Sequence, residues 1–203
     1  MRNPRSYDLL NERWIPVSWR TDAEPCEPKV GIREALERAN EIVCISHTSP
    51  FVELGLYRLL ITIVLDAYIV ARKRPTIRKM KAMLDHGEFD LDVIGGYLED
   101  YGNRFDLWDE DHPFLQIPTA NRQGEGISKM IAPVPSGTKL AFWHHYAQDE
   151  TRLTDAAAAQ ELCAIVPFCF DNAPKDICTF GGDPPIYVVV YGNSLIETIV
   201  YNV

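Results

Sequence analysis

The sequence lacks the short motifs that announce chemistry. Five cysteines are present, at Cys26, Cys44, Cys163, Cys169 and Cys178, but no two form a Cys-x-x-Cys pair. Metal sites use closely spaced thiolates or Cys/His combinations, so reduced and mostly buried thiols are the expectation, with no metal and no cofactor. There is no Gly-x-Ser-x-Gly elbow, no phosphate-cradling glycine loop and no His-Glu-x-x-His pair, which leaves no ready nucleophile, nucleotide or zincin constellation. A long uncharged apolar run is also missing: the richest stretch, Leu54–Ala71, is broken by Arg58 and Asp66. Charge at a bilayer centre is expensive, so this stretch reads as a buried helix rather than a membrane span. The amino terminus is polar and charged, without a secretory pattern, and the expected location is cytoplasmic. Positive charge is scarce. Twenty Lys and Arg stand against 29 Asp and Glu, a formal net charge of −9. That sign argues against a free-standing nucleic-acid binder, whose affinity comes largely from phosphate neutralisation. A local basic patch remains compatible with it.

What is present suffices for a folded core. The chain has 203 residues, of which 46% are hydrophobic, enough for one or two domains, and no internal repeat or low-complexity linker marks a boundary. The patterning predicts an α+β fold: a mixed helical domain with a long central helix and small antiparallel sheets. Tyr7–Leu10 and Trp14–Trp19 read as strands joined tightly at Asn11-Glu12, Thr21–Pro28 as a loop, and Gly31–Asn40 as an amphipathic helix with Ile32, Leu36 and Ala39 inward. Ser49-Pro50 is a helix start, a capping hydroxyl followed by proline at the first turn. The helix it opens runs to about Ala71 with apolar residues on most faces, which places it mid-domain. Asp90 caps a helix to about Gly102, weakened by Gly95-Gly96, and Thr154 caps another to about Phe170 that meets Pro167 late. Phe105, Leu107 and Phe114 alternate with polar residues around Trp108–Pro113, the pattern of an aromatic hairpin. Pro185–Tyr191 is the clearest strand, and Ser194-Leu-Ile-Glu197 is a capping box that begins a last helix.

Three stretches are candidates for function. Arg72, Lys73, Arg74, Arg78, Lys79 and Lys81 place six cations within ten residues, broken at Pro75. They form either a solvated turn or a phosphate-facing patch. Lys139–Tyr146 gathers Phe142, Trp143, His144, His145 and Tyr146, either as one face of a core strand or as exposed rings for stacking single-stranded bases. Adjacent histidines on an extended segment face opposite ways, which disfavours a metal at His144-His145. Asp106, Asp109, Glu110 and Asp111 lack the spacing and hinge glycine of a calcium loop and read as a solvated turn, with His112 bonded locally.

The segment Arg104-Phe-Asp-Leu-Trp-Asp-Glu-Asp-His-Pro-Phe-Leu-Gln116 resembles the signature of the CasA family, the large subunit of the type I-E CRISPR surveillance complex Cascade. Tyr7-Asp-Leu-Leu-Asn-Glu-Arg-Trp-Ile-Pro-Val17, Gly31–Leu36, Ser49–Glu53, Pro135–Gly137 and Gly192–Thr198 fall in that family's order. The resemblance implies a non-catalytic subunit of an antiviral surveillance complex that helps recognise the protospacer-adjacent motif. Its implied partners are CRISPR RNA through its 5′ handle, double-stranded target DNA, the handle-binding and small subunits, and the helicase-nuclease effector. It also implies that these residues are the amino-terminal portion of a longer subunit, without its carboxy-terminal helical bundle. By the same resemblance, Phe142, Trp143 and His144 lie in a loop near the RNA handle. Gly181 and Gly182 lie in a shortened glycine loop near the motif. Because the family handles duplex DNA, Arg72, Lys73 and Arg74 are read as a phosphate-facing patch, though they match no particular family contact. In such systems protein reads a short motif and backbone shape while base pairing reads sequence. Two other functions stay open: a metal-dependent nuclease using Asp109–His112 or His144-His145, and a structural adaptor that touches no nucleic acid.

Overall fold

The computed structural model describes residues 5–20, 27–116, 152–168 and 186–203. Its sheet is built around β1 (Ile15–Trp19), which pairs antiparallel on one side with β2 (Lys29–Val30) and on the other with β3 (Ile42–Ile45), giving the order β2-β1-β3. Ile15 faces Val30 and Val17 faces Ile45, and the register slips between Ser18 and Trp19. The short helix α1 (Ile32–Glu37) connects β2 to β3 and buries Ile32, Ala35 and Leu36. Its N-cap is Gly31, where a Cβ would lie 2.5 Å from the Leu10 carbonyl oxygen. Only a residue without a side chain lets the two backbones approach so closely.

The long helix α2 (Pro50–Val70) carries buried residues from Val52 to Tyr68. Ser49 is its N-cap but makes no side-chain cap; instead the Ser49 amide donates to His47 Nδ1 at 3.0 Å. Around α2 gather α3 (Ile77–His86), α4 (Leu91–Asp100), α5 (Asp155–Phe168) and α6 (Leu195–Tyr201). Of these, α4, α5 and α6 pack directly against α2, while α6 also touches α3 and β3. The α+β architecture with a central helix is therefore as the patterning predicts. The caps are too: Asp90 accepts from the Val93 amide at 3.3 Å, Thr154 from Ala157 at 3.2 Å and Ser194 from Glu197 at 3.4 Å. Of the cysteines within the described residues, Cys163 is buried and Cys44 half-buried, both as free thiols.

Three expected extended segments do not form as expected. Tyr7–Leu10 makes one isolated bridge, Asp8 to Asp106, and then turns. Arg104–Gln116 is not a hairpin: Gly102–Phe105 is a 3₁₀ turn, and the segment hydrogen-bonds to the amino-terminal stretch through Leu9 N to Phe105 O and Leu107 N to Tyr7 O. Its aromatics are inward nonetheless, with Phe105, Leu107 and Phe114 all buried and Phe114 edge-on to Trp14 at 6.1 Å. Residues 186–191 of the expected strand Pro185–Tyr191 are in no ladder. Strand propensity is realised only where a neighbour supplies the other half of the hydrogen bonds.

Candidate nucleic-acid interface

Of the eight residues singled out for nucleic-acid contact, Arg72, Lys73 and Arg74 lie within the described structure. Phe142, Trp143, His144, Gly181 and Gly182 lie outside the described residues, as do His145 and the Pro135–Gly137 motif. The three cations occupy the link between α2 and α3, and all three are exposed. The link is made by the end of α2. Arg72 N donates to Ile69 O and Lys73 N to Tyr68 O, the two reverse bonds of a Schellman turn. The left-handed position of that turn, ordinarily glycine, holds Arg72 at φ 55°. The cations thereby cap the negative end of the α2 dipole. Pro75 then separates the helices and Thr76 caps α3, accepting from Lys79 N at 3.4 Å.

The cations are not equivalent. Lys73 Nζ is bound to Asp90 Oδ2 at 3.0 Å, and Lys79 Nζ donates to the Lys73 carbonyl at 3.1 Å. Asp90 is the residue sequence reasoning missed in this role. It is seventeen positions away, and only the turn through α3 returns it to the end of α2, so no local signal exists. The Asp90 amide donates to Tyr68 Oη at 3.0 Å, and burial pushes the Tyr68 hydroxyl pKa up. Tyr68, Lys73, Lys79, Met83, His86 and Asp90 line a cavity of about 280 Å³ beneath the link. Of the three cations of the link, Arg72 and Arg74 have no ion-pair partner among the described residues.

The Lys73 hydrogen bond holds the Asp90 carboxyl below its ordinary value of 3.8, helped by the Val93 amide and opposed by desolvation. A depressed carboxyl stabilises the fold above the unfolded-state value, and that contribution is lost as pH falls through the folded-state value. Asp90→Asn should therefore flatten the acid limb of a denaturation-midpoint profile recorded below about pH 4. An unchanged limb would show that the pair is screened out by solvent.

The acidic run is used structurally. Asp109 Oδ1 accepts from the amides of Asp111 and His112 at 2.9 and 2.6 Å. Asp106 accepts from Ser6 Oγ, from Tyr7 N at 3.1 Å and from Trp108 N at 2.7 Å. These carboxylates tie a turn to the amino-terminal stretch. Among the described residues no three His, Cys, Asp or Glu side chains are grouped to hold a metal, and no helix is long and apolar enough to cross a membrane.

The family described as CRISPR-associated protein Cse1 matches residues 8–203 of this sequence. The chain belongs to the Cse1 family. It is 29% identical over 216 residues to CRISPR-associated protein CasA/Cse1 of Thermus thermophilus, an alignment covering 100% of this chain and 40% of that protein. The solved structure of Thermus thermophilus CasA (Cse1) superposes with a TM-score of 0.71 at 28% identity, over 98% of this chain and 41% of that one. A chain of a solved CRISPR RNA-guided surveillance complex shares the fold with a TM-score of 0.74 at 22% identity, over 98% of this chain and 44% of the other. This Cse1 chain thus spans about two fifths of the length of the relatives it matches. Within that span Arg104–Gln116 buries Phe105, Leu107 and Phe114 and hydrogen-bonds to the amino-terminal stretch.

Proposed function

We propose that this Cse1 chain acts as a non-catalytic part of a type I-E CRISPR RNA-guided surveillance complex, where it helps bind target DNA beside the RNA guide. The observation that carries this reading is the family match along residues 8–203. Its proposed partners are CRISPR RNA, duplex target DNA, the handle-binding and small subunits and the helicase-nuclease. The local contribution of the described residues is electrostatic: Arg72 and Arg74, without an ion-pair partner among the described residues, neutralise phosphate at the α2–α3 link, while Lys73, bound to Asp90, shapes the link. In this reading recognition of the protospacer-adjacent motif falls to Gly181-Gly182 and base stacking to Phe142, Trp143 and His144, all outside the described residues. The Lys73–Asp90 pair favours a second reading, an adaptor whose basic link is only solvated surface.

DNA binding by the assembled complex over a salt series separates the two. The variant for the first position is Arg72→Gly, which removes the charge and also suits the left-handed backbone; Arg74→Ala completes it. Each lost phosphate contact lowers the slope of log affinity against log salt by about 0.9, so the double variant should lower it by roughly 2. An unchanged slope would return the link to the adaptor reading.

A further inference from the structure

The cavity beneath the α2–α3 link holds more polar capacity than the fold consumes. One wall is a single face of α3, where Lys79, Ala82, Met83 and His86 follow one another at helical spacing. Tyr68, from the end of α2, and Phe89, just before α4, add a buried lining, at 2% and 3% exposure. Part of the lining is satisfied internally: Lys73 is paired with Asp90, whose other oxygen caps α4. The rest is not. The Tyr68 hydroxyl accepts from the Asp90 amide at 3.0 Å, but its own proton reaches no acceptor among the described residues. Glu88 and His86 also line the cavity without a side-chain partner there. Lys79 spends one of its N–H groups on the Lys73 carbonyl and keeps the others. Buried donors normally have an acceptor, so an unspent one lining a cavity marks a place for a ligand oxygen or nitrogen.

Size and charge narrow the ligand. The volume of about 280 Å³ falls just under the roughly 300–1,000 Å³ of pockets that enclose drug-sized molecules. It takes one ring with its substituents and excludes a base pair. Lys79 and His86 stand about 10 Å apart along the helix axis, with the small Ala82 and the half-buried Met83 between them. Met83 and Phe89 offer apolar surface to a flat ring, and a thioether packs well on an aromatic face. Glu88 can accept from an exocyclic amine and Tyr68 can donate to a ring nitrogen or carbonyl. Lys79 lies at the link end of α3, next to the exposed Arg72 and Arg74, where a phosphate is best placed.

We propose that this cavity binds a single unpaired nucleotide, its base against Met83 and Phe89 with one edge on the Tyr68 hydroxyl, and its phosphate on Lys79. The proposal rests on the reading of the link as a nucleic-acid contact and names the unit recognised there. A free nucleoside monophosphate and an unstacked residue of a single strand present the same chemistry.

Titration of the chain with AMP, followed by the methyl NMR signals of Ala82 and Met83, tests it. AMP should shift both methyls, and ribose 5-phosphate and inorganic phosphate should bind at least about tenfold more weakly, having no base to bury. Lys79→Gln should weaken AMP about tenfold, the loss of one charge-assisted hydrogen bond, and leave adenosine unchanged. Ala82→Phe fills the cavity from an exposed helix position and removes no charge. It should abolish binding of both AMP and adenosine while the circular dichroism spectrum stays the same. A single-stranded oligo-deoxyadenylate identifies the source: binding weakened by Ala82→Phe assigns the site to a strand, and binding indifferent to it assigns the site to the free nucleotide. AMP that shifts neither methyl, AMP affinity that survives Ala82→Phe, or phosphate that binds as tightly as AMP would each overturn the proposal. The salt series on the assembled complex reads Arg72 and Arg74, which do not line the cavity, so the two readings can fail separately.

Discussion

Gly55→Ala should be among the most damaging single-methyl changes in the molecule. In a helix interior this substitution normally stabilises by about 1 kcal/mol. Here the sign reverses, because Gly55 lies where α2 crosses α5. An added Cβ would sit 2.4 Å from the Cys163 carbonyl oxygen and 2.6 Å from its carbon. Both are backbone atoms, so no rotamer can relieve the contact and the helices must separate. Overpacking of this kind costs about 3 kcal/mol, at the upper end of measured cases. For a domain of this size that lowers the melting temperature by roughly 6–12 °C. Gly95→Ala is the matched control, since a Cβ there meets nothing within 4 Å. Thermal melts of the two variants should move in opposite directions. A Gly55→Ala melt equal to that of the unsubstituted chain would show that α2 and α5 do not pack as described.

The second large effect is expected at Trp14. Its side chain is fully buried, its Nε1 donates to the Leu9 carbonyl at 2.8 Å, and its backbone carbonyl accepts from Gln160 Nε2 at 2.5 Å. Trp14 therefore stands where the amino-terminal stretch, Phe114 and α5 meet. Trp14→Ala should cost about 3–5 kcal/mol by cavity formation. Trp14→Phe should cost distinctly less. The Leu9 carbonyl keeps the Ile32 amide as a donor at 3.1 Å, so losing the indole N–H leaves no orphaned acceptor. Denaturant midpoints for the two variants give the comparison. Equal losses would mean that the indole hydrogen bond, rather than its volume, carries the effect.

Legibility from sequence divides along local and non-local lines. The helix caps at Asp90, Thr154 and Ser194 are readable because each is a contact three residues long. The helix Pro50–Val70 is readable because apolar residues on most of its faces leave it little place but the interior. Strands are the failures. Asp106 bridges Asp8 across almost a hundred residues, and period-2 alternation in Phe105–Phe114 carries no information about that partner. The alternation at 186–191 is real, but no ladder accompanies it. The basic link is legible as charge, while its internal wiring is not. That Lys73 belongs to Asp90 depends on α3 doubling back. The aromatic and glycine candidates at 142–144 and 181–182 lie outside the described residues, so the stacking and motif-reading parts of the site rest on resemblance alone.

The position of α6 has a consequence for biosynthesis. Ile196 N donates to the Ala39 carbonyl at 3.1 Å, and the helix fills a gap bounded by α2, α3 and β3. Elements made early in translation are thus sealed by one that begins only at Leu195. Closures of such long sequence separation are slow. A ribosome-bound intermediate must hold the surfaces of α2, α3 and β3 that α6 covers open to solvent until that helix emerges, and chaperone demand should peak at that moment.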